Sequence, residues 1–317
     1  MCVTGALALA ASGAAEAGVL RGVWTAERSR WRVDKGGTAT IVQLSLQRTG
    51  DGGHWNSSQS VPLTELPGLS DAALDAPSAD TRFDWSRDAG RFALEGRFQA
   101  GAGAGHFNFT PDAAYVADMR SRGYGAIDDE KALALALHDV SRAFISDLAA
   151  LGYERAPLDQ LVALRIHGAT ADYVRGVAGL GYKRLPLDQL VAFRIHGASL
   201  DYLREIQGLG FAGLSPDQIV AFRIHGVGPG FVRELRALGY ERLESDQLVA
   251  MRIHGVSPEF VKELKALGYS GVPVDQLVSL RIHGVTGEYI KKVQGRSGKG
   301  ITVDRLVSMR IHGEDPE

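Results

Sequence analysis

The feature that most constrains this chain is a 29-residue period that runs through its second two-thirds. Six histidines at this step stand in the tetrapeptide Arg-Ile-His-Gly, and a seventh stands in Ala-Leu-His-Asp. An aromatic residue keeps the same step. The histidines are His138, His167, His196, His225, His254, His283 and His312, and the aromatic residues are Tyr115, Phe144, Tyr173, Tyr202, Phe231, Phe260 and Tyr289. Such a period is typical of repeat proteins whose stacked units share one core.

Each repeat unit divides into two short helices. One helix is predicted from about Asp159 to His167 and ends at Gly168, because glycine readily adopts the left-handed conformation that follows a helix. The other begins after a capping hydroxyl such as that of Thr170, Ser199 or Ser257. Helices of about ten residues are marginal alone. We therefore predict that residues 111–317 form an α-helical solenoid of about seven two-helix repeats.

The apolar period changes to two in the preceding segment. From residue 18 to about residue 110, apolar side chains alternate with polar ones, as at Val42, Leu44 and Leu46. Two hairpin turns are predicted, at 88–90 and at the glycine-rich 101–105. We predict a small antiparallel β-sandwich or curled sheet here, and hence an α+β fold for the chain.

The four tryptophans, Trp24, Trp31, Trp55 and Trp85, all lie in this β region. Aromatic residues at alternating strand positions are typical of a packed core. The alternative is that these rings line a sugar-binding face.

The first residues have the pattern of a secretory signal peptide. Residues 1–17 are apolar and end in Ala15-Glu16-Ala17, which fits the small-x-small pattern of a cleavage site. The mature chain is predicted to begin near Gly18 and to be periplasmic or extracellular in a bacterial envelope. The single cysteine, Cys2, falls inside this leader, so the mature chain would form no disulfide.

The charge of the chain is nearly balanced. Lysine and arginine number 35 against 37 aspartates and glutamates, a net charge of −2. Binding to nucleic acid through phosphate neutralisation normally requires a basic surface, so the balance argues against nucleic acid as the partner. No apolar run after the leader is long enough to predict a membrane span.

The evenly spaced histidines do not predict a metal site. Two ligands of one zinc ion must lie within about 3 to 4 Å of each other, whereas stacked helices lie about 8 to 10 Å apart. Each histidine instead falls in the last turn of its helix, near the free carbonyls and the negative end of the helix dipole. No metal or cofactor is predicted.

The arginine of each Arg-Ile-His-Gly is predicted to be structural. On a helical wheel, Arg165 falls beside Leu158 and Val162, within the apolar face. A guanidinium there is costly unless it is paired. We predict a ladder bonded to helix C-terminal carbonyls or to aspartates such as Asp159 and Asp188, the alternative being a basic groove for an anionic polymer. The ladder residues are Arg165, Arg194, Arg223, Arg252, Arg281 and Arg310.

A glutamine and the histidine fall opposite that face on the same wheel, and we predict that they form a binding line. Repeated surface side chains are how solenoids bind extended partners. The alternative is a merely solvated face. The line comprises Gln160, His167, Gln189, His196, Gln218, His225, Gln247, His254, Gln276 and His283, with Arg305 replacing glutamine beside His312.

The sequence carries no catalytic motif. It has no Gly-x-Ser-x-Gly elbow, and the Gly-Arg-Ser-Gly-Lys-Gly run at Gly295 lacks the spacing and the preceding strand of a phosphate-binding loop. His54 and His106 are isolated residues of the β region. No enzyme activity and no catalytic residue are predicted.

The repeat pattern of Asp-Gln-Leu-Val-Ala, Arg-Ile-His-Gly and Phe-Val-x-Glu-Leu-x-Ala-Leu-Gly-Tyr, over about residues 141–313, resembles known repeats. They occur in uncharacterised bacterial exported proteins and in the extracytoplasmic tails of beta-lactam-sensor-type membrane metallopeptidases. Residues 90–124 resemble the β region that accompanies those repeats. The resemblance implies an envelope location. It implies no peptidase activity, since the zinc motif His-Glu-x-x-His is absent from this sequence.

These observations predict an exported, non-enzymatic interaction or scaffold protein that binds a protein segment or an envelope polymer. One alternative is a modular nucleic-acid-binding helical repeat protein, since helical repeats can read one unit each. Another is a glycan-binding or glycan-hydrolysing β domain, which would require two carboxylates facing each other across a cleft. The ligand and the oligomeric state stay open.

Overall fold

The computed structural model describes residues 19–33, 37–50 and 53–314. The predicted leader at residues 1–17, with Cys2, lies outside this part. The chain divides into two compact units, one up to Ile166 and one from His167 onward. The first unit contains the strands together with the first helices, so the unit boundary differs from the change of period near residue 110.

Six strands of the first unit form one antiparallel sheet, as the alternating pattern predicts. The sheet order is β3-β2-β1-β6-β5-β4, a single sheet and not the two layers of a sandwich. The strands are β1 Leu20–Val33, β2 Gly37–Gly50, β3 Gly53–Pro62, β4 Ala79–Arg87, β5 Gly90–Gln99 and β6 Ala102–Pro111. A 3-10 turn at Leu63–Glu65 and helix α1, Asp71–Asp75, lie between β3 and β4.

The sheet is strongly curled. Trp24 of β1 and Phe83 of β4 stand three strands apart, which in a flat sheet would separate them by about 14 Å. Their ring centroids lie 5.3 Å apart, and the Trp24 ring also lies 5.5 Å from that of Phe98 on β5. The curl brings one face of the sheet around an aromatic core. The buried side chains of this face include Val42, Leu44, Leu46, Trp85, Phe92, Leu94, Phe107 and Phe109.

Two glycines make room for the Trp24 indole. Trp24 pairs with Gly105 of β6, which pairs with Gly96 of β5, so the three residues stand in a row across the sheet. A Cβ atom on Gly105 would lie 2.8 Å from the indole nitrogen, and one on Gly96 would lie 2.7 Å from the indole ring. The indole N–H donates to the carbonyl of His106 at 3.1 Å.

The hairpin predicted between β5 and β6 is present, but its turn does not extend over residues 101–105 as predicted. The β5–β6 turn lies at Ala100 and Gly101, both with positive φ, and β6 already begins at Ala102. A glycine-rich run is a turn signal in local terms. Here the later glycines lie within the strand because rings from other strands occupy the space above them.

Fourteen helices follow the sheet in the described part of the chain. They are α2 Ala113–Ser121, α3 Asp129–Leu137, α4 Arg142–Ala150, α5 Leu158–Ile166, α6 Ala171–Gly179, α7 Leu187–Ile195, α8 Leu200–Gly208, α9 Pro216–Ile224, α10 Pro229–Ala237, α11 Ser245–Ile253, α12 Pro258–Ala266, α13 Val274–Ile282, α14 Gly287–Ser297 and α15 Val303–Ile311. From α5 onward, each odd-numbered helix carries Arg-Ile at its end, and the aromatic position of the period lies on the even-numbered helices. None of the described helices combines the length and apolarity needed to cross a membrane.

The helix ends are capped as the sequence predicts. The Thr170 hydroxyl accepts a hydrogen bond from the Tyr173 N–H at 3.2 Å and begins α6. Ser199 does the same for Tyr202 at the start of α8, at 3.1 Å. After α5, Gly168 adopts a φ of 70°, which a residue with a Cβ rarely adopts.

Successive helices of the same kind pack together in the second unit. The odd helices α7, α9, α11, α13 and α15 contact one another in sequence order, and so do the even helices from α6 to α14. Buried tyrosines join neighbouring repeats. The Tyr173 hydroxyl donates to the Ala198 carbonyl at 2.7 Å, and that of Tyr202 donates to the Val227 carbonyl at 2.8 Å. Burial raises the pKa of both phenols to about 12, so both stay protonated donors at neutral pH.

Candidate binding surface

Each arginine of the predicted ladder reaches back to the preceding repeat. Arg223 Nε donates to the His196 carbonyl at 2.9 Å, and its guanidinium lies 4.6 Å from the centre of the Tyr202 ring. The Nε atoms of Arg165, Arg194 and Arg252 bond to the carbonyls of His138, His167 and His225. The rings beneath Arg165, Arg194, Arg252, Arg281 and Arg310 are Phe144, Tyr173, Phe231, Phe260 and Tyr289.

The acceptors differ in part from the sequence expectation. They are carbonyls at helix ends, whereas Asp159 and Asp188 form no ion pair with another residue that the structure describes. The only aspartate bonded to a ladder arginine in the described residues is Asp139, which accepts from Arg165 Nη2 at 2.6 Å. Arg165, Arg194, Arg223 and Arg252 are therefore held by the preceding repeat through a charge-assisted hydrogen bond and an aromatic face. Arg281 and Arg310 share the contact with an aromatic face.

Replacing Arg223 with methionine tests this arrangement. The change removes a hydrogen bond of a charged group and a cation–π contact, so we expect the free energy of unfolding to fall by about 1 to 3 kcal/mol. Arg204→Met is the matched control, because Arg204 is exposed and pairs with Asp201 on its own helix. The control should cost less than about 0.5 kcal/mol. Urea denaturation monitored by circular dichroism gives the midpoint of each variant. Equal midpoints for Arg223→Met and Arg204→Met would contradict the ladder.

The solvent face of the odd helices is centred on an aspartate and an isoleucine. On α9, Ile219 and Phe222 are fully buried and mark the core side. Asp217 and Ile224 lie opposite, about 20° apart on the helical wheel. Ala221 lies between them along the helix. The same arrangement recurs on every odd helix of the second unit, because the repeat preserves these positions.

Isoleucine forms an exposed row on this face. The relative exposures of the second unit's copies span only 54% to 56%. Isoleucine is among the residues most often buried, so an equal and high exposure in every repeat is unusual. The isoleucine row comprises Ile195, Ile224, Ile253, Ile282 and Ile311, and Ile166 is equally exposed on α5 of the first unit.

Aspartate forms a second row in the first turns of the same helices. Each carboxylate is exposed, and none forms an ion pair with any residue in the described part of the chain. Asp304 accepts a hydrogen bond from Gln276 at 3.2 Å, and Asp246 accepts one from Ser245 at 3.3 Å. The aspartate row comprises Asp188, Asp217, Asp246, Asp275 and Asp304.

Small residues separate the two rows and leave a groove. Between α9 and α11 the groove has a volume of about 240 Å³. Its lining is mainly apolar and includes Ala221, Phe222, Val249, Ala250 and Ile253. The small-residue row consists of Ala192, Ala221, Ala250, Ser279 and Ser308.

The predicted glutamine and histidine line flanks this face and does not form its centre. Gln218 donates to Ser245 Oγ on the next odd helix at 3.0 Å and also closes a capping box on its own helix. Gln276 likewise reaches the next odd helix, and Gln247 closes a second capping box. Most of the glutamines are half-buried, namely Gln160, Gln189, Gln218 and Gln276. The histidines lie at the ends of the odd helices, with His167, His254, His283 and His312 exposed and His196 and His225 half-buried.

The even helices carry charges that are already paired. Glu205 bonds to Arg233 at 2.6 Å and Glu263 bonds to Lys291 at 3.2 Å, each pair joining neighbouring repeats. These charges of the even helices thus pair with one another, while the odd helices present exposed isoleucines and aspartates without an ion-pair partner in the described part of the chain. The solvent face of the odd helices, called the odd face below, is therefore the better candidate for binding a partner.

The first unit has a separate polar pocket of about 380 Å³. His138 lines it, and burial, followed by the charge of Arg165, lowers the pKa of the imidazole. The two arginines of the pocket are each bonded to a carboxylate, Arg87 to Glu65 and Arg165 to Asp139. Asp139, the carboxylate that lines this pocket together with His138, is thus already paired with Arg165.

Burial excludes two of the four tryptophans from a sugar-binding face. Trp24 and Trp85 are each only 1% exposed, so neither ring can stack on a sugar. The nearby acids Asp80 and Asp84 are bonded to Arg97 and Arg91.

The described residues contain no group of three or more histidine, cysteine or acidic side chains arranged to hold a metal ion. Comparison of the chain with models of protein families, with curated proteins and with solved structures finds no significant match. The resemblance of the repeats to those of exported bacterial proteins therefore stays a prediction.

Proposed function

We propose that this protein is an exported, non-enzymatic interaction or scaffold protein. Its helix pairs stack as an α-helical solenoid of about seven repeats, and its odd helices bind one extended polypeptide segment. The observation that carries the proposal is the isoleucine row, exposed to the same degree in every repeat of the second unit. Surface side chains repeated along one face are how solenoids bind extended partners.

The chemistry of the row favours a polypeptide over the other candidate partners. Isoleucine side chains gain most from contact with apolar side chains, which a polar glycan lacks. The aspartate row would repel the phosphates of nucleic acid. One weak contact per repeat adds along a single extended ligand, which is how a solenoid reaches useful affinity.

Selection of random displayed peptides on the full chain tests the proposal. Enriched peptides are expected to lose about three- to tenfold in affinity for each isoleucine changed to serine, since each change removes part of a buried apolar contact. The variants carry one, two or four changes among Ile195, Ile224, Ile253 and Ile282. Far-UV circular dichroism verifies that the helices persist.

The control carries serine at four exposed cations of the even helices, namely Arg204, Arg233, Lys262 and Lys291. Their ion pairs are exposed and contribute little to stability, so binding should not change. Affinity that survives all four isoleucine changes would place the binding surface elsewhere. Affinity that disappears at one isoleucine would indicate a single site in place of an extended one. Failure to enrich any peptide would favour an envelope polymer.

A further inference from the structure

Two parallel rows define the chemistry of the odd face in the second unit. On α9, Asp217 and Ile224 lie on the same side of the helix, seven residues and therefore about 10 Å apart along its axis. Ala221 lies between them. Successive stacked helices are about 8 to 10 Å apart, so each row repeats its side chain at that interval.

We propose that this surface binds a basic, apolar polypeptide segment in the polyproline-II conformation. Every third residue of the segment is apolar and contacts the isoleucine row, and the next residue in each triplet is lysine or arginine and faces the aspartate row. The inference rests on the proposed function and names the class of partner.

The spacing of the repeats fits this conformation. A polyproline-II chain has three residues per turn and rises about 9 Å per turn. Equivalent side chains therefore recur at nearly the interval of the stacked helices. An extended β-strand instead returns its side chains to one face about every 6.6 Å, which falls out of step with the rows after one repeat. One triplet of the ligand thus matches one repeat of the protein.

The charge pattern selects a basic partner. The five carboxylates of the aspartate row have no ion-pair partner in the described part of the chain, whereas glutamates of the even helices are paired with arginine or lysine of the next repeat. The ladder arginines do not neutralise the row, since they lie at the opposite ends of the odd helices, where those of α7, α9 and α11 bond to carbonyls. Basic side chains of a ligand lying above the aspartates would form ion pairs with these carboxylates.

The ligand backbone would lie in the groove along the small-residue row. Ala221 and Ala250 leave an apolar groove between the isoleucine and aspartate rows at α9 and α11. A polyproline-II backbone forms no internal hydrogen bonds and loses little entropy on binding. It can lie along these small residues and direct successive side chains to the two rows.

Three labelled synthetic peptides test the inference by fluorescence polarisation with the full chain. Each contains about five triplets, one for each odd helix of the second unit. The first repeats Leu-Lys-Pro, the second repeats Leu-Glu-Pro and the third repeats Ser-Lys-Pro. The first should bind at least about tenfold more tightly than either of the others, and added salt should weaken its binding.

The decisive variant changes Asp188, Asp217, Asp246 and Asp275 to asparagine. Its affinity for the Leu-Lys-Pro peptide should fall about tenfold or more, and the dependence on salt should flatten. The control changes the first-turn acids of the even helices, Asp172→Asn, Asp201→Asn, Glu259→Gln and Glu288→Gln. The control has the same net charge as the variant and should bind within about twofold of the unchanged protein.

The outcomes separate this inference from the proposed function. Equal binding of the Leu-Lys-Pro and Leu-Glu-Pro peptides, both weakened by the isoleucine changes, would overturn the basic partner and leave the binding surface intact. Equal binding of the Leu-Lys-Pro and Ser-Lys-Pro peptides would show a purely electrostatic contact. It would overturn the inference that an apolar residue of each triplet contacts the isoleucine row. No binding by any of the three would overturn the inference, and the peptide selection would then decide the proposed function alone.

Discussion

Replacing Gly105 with alanine is expected to destabilise the first unit by more than about 3 kcal/mol, the upper end for overpacking. A Cβ atom there would overlap the Glu95 carbonyl oxygen and lie 2.6 Å from the Gly96 Cα atom. These are backbone atoms of the neighbouring strand, which cannot move without breaking the β5–β6 pairing. The same atom would lie 2.8 Å from the Trp24 indole nitrogen, so the aromatic core would shift as well.

The loss should appear in near-UV circular dichroism and in tryptophan fluorescence, because Trp24 and Trp85 lie in that core. Gly125→Ala is the control, since no atom lies within 4 Å of the added Cβ. Removing a glycine from such an open position should leave stability equal or raise it by less than about 1 kcal/mol. Identical denaturation midpoints for the two variants would mean that the strands separate freely at Gly105.

The role of Gly105 illustrates a limit of the sequence. The period of two predicts the strands because Val42, Leu44 and Leu46 alternate with polar residues over many positions. The glycine-rich run, in contrast, has the same local chemistry in a turn as in a strand. What decides between them is the indole of Trp24, about 80 residues away along the chain. Local reasoning does not include such a contact.

The helical repeats are easier to predict, since every copy repeats the same signals. The caps at Thr170 and Ser199 and the left-handed Gly168 are local features, and the structure has them where the sequence predicts them. The repeat spacing also reveals which positions are equivalent. These signals predict two short helices per unit before any contact between units is known.

The exposed face of the odd helices is harder to orient from the sequence than the helices are to find. The helical wheel of α5 places Val162 in the apolar face, and the opposite face then contains Gln160 and His167. In the structure Leu161 and Leu164 are fully buried and Val162 is only half-buried. Counting Leu164 rotates the core direction by about 50°. The exposed face is then centred on Asp159 and Ile166. Hydrophobicity alone predicts an exposed aspartate but a buried isoleucine, so it does not place the two residues on one face.

Two isoleucines of α9 should respond to the same substitution to very different extents. Ile219 has no exposed surface, and Ile219→Ala should lower the free energy of unfolding by about 2 to 5 kcal/mol through lost burial and a cavity. Ile224 is 56% exposed on the same helix, five residues later. Ile224→Ala should change stability by less than about 0.5 kcal/mol, since alanine's higher helix propensity offsets the small loss of burial.

Comparing Ile219→Ala with Ile224→Ala decides whether the isoleucine row stabilises the fold or is free to bind a partner. Urea denaturation followed by far-UV circular dichroism gives the two midpoints, and the shared helix and shared substitution cancel effects of chain entropy. A large loss of stability in Ile224→Ala would mean that the row packs against the protein itself and is not free to bind. A stable Ile224→Ala variant that no longer binds the selected peptides would separate stability from recognition at one residue. The isoleucine in each Arg-Ile-His-Gly would then be explained by contact with the ligand.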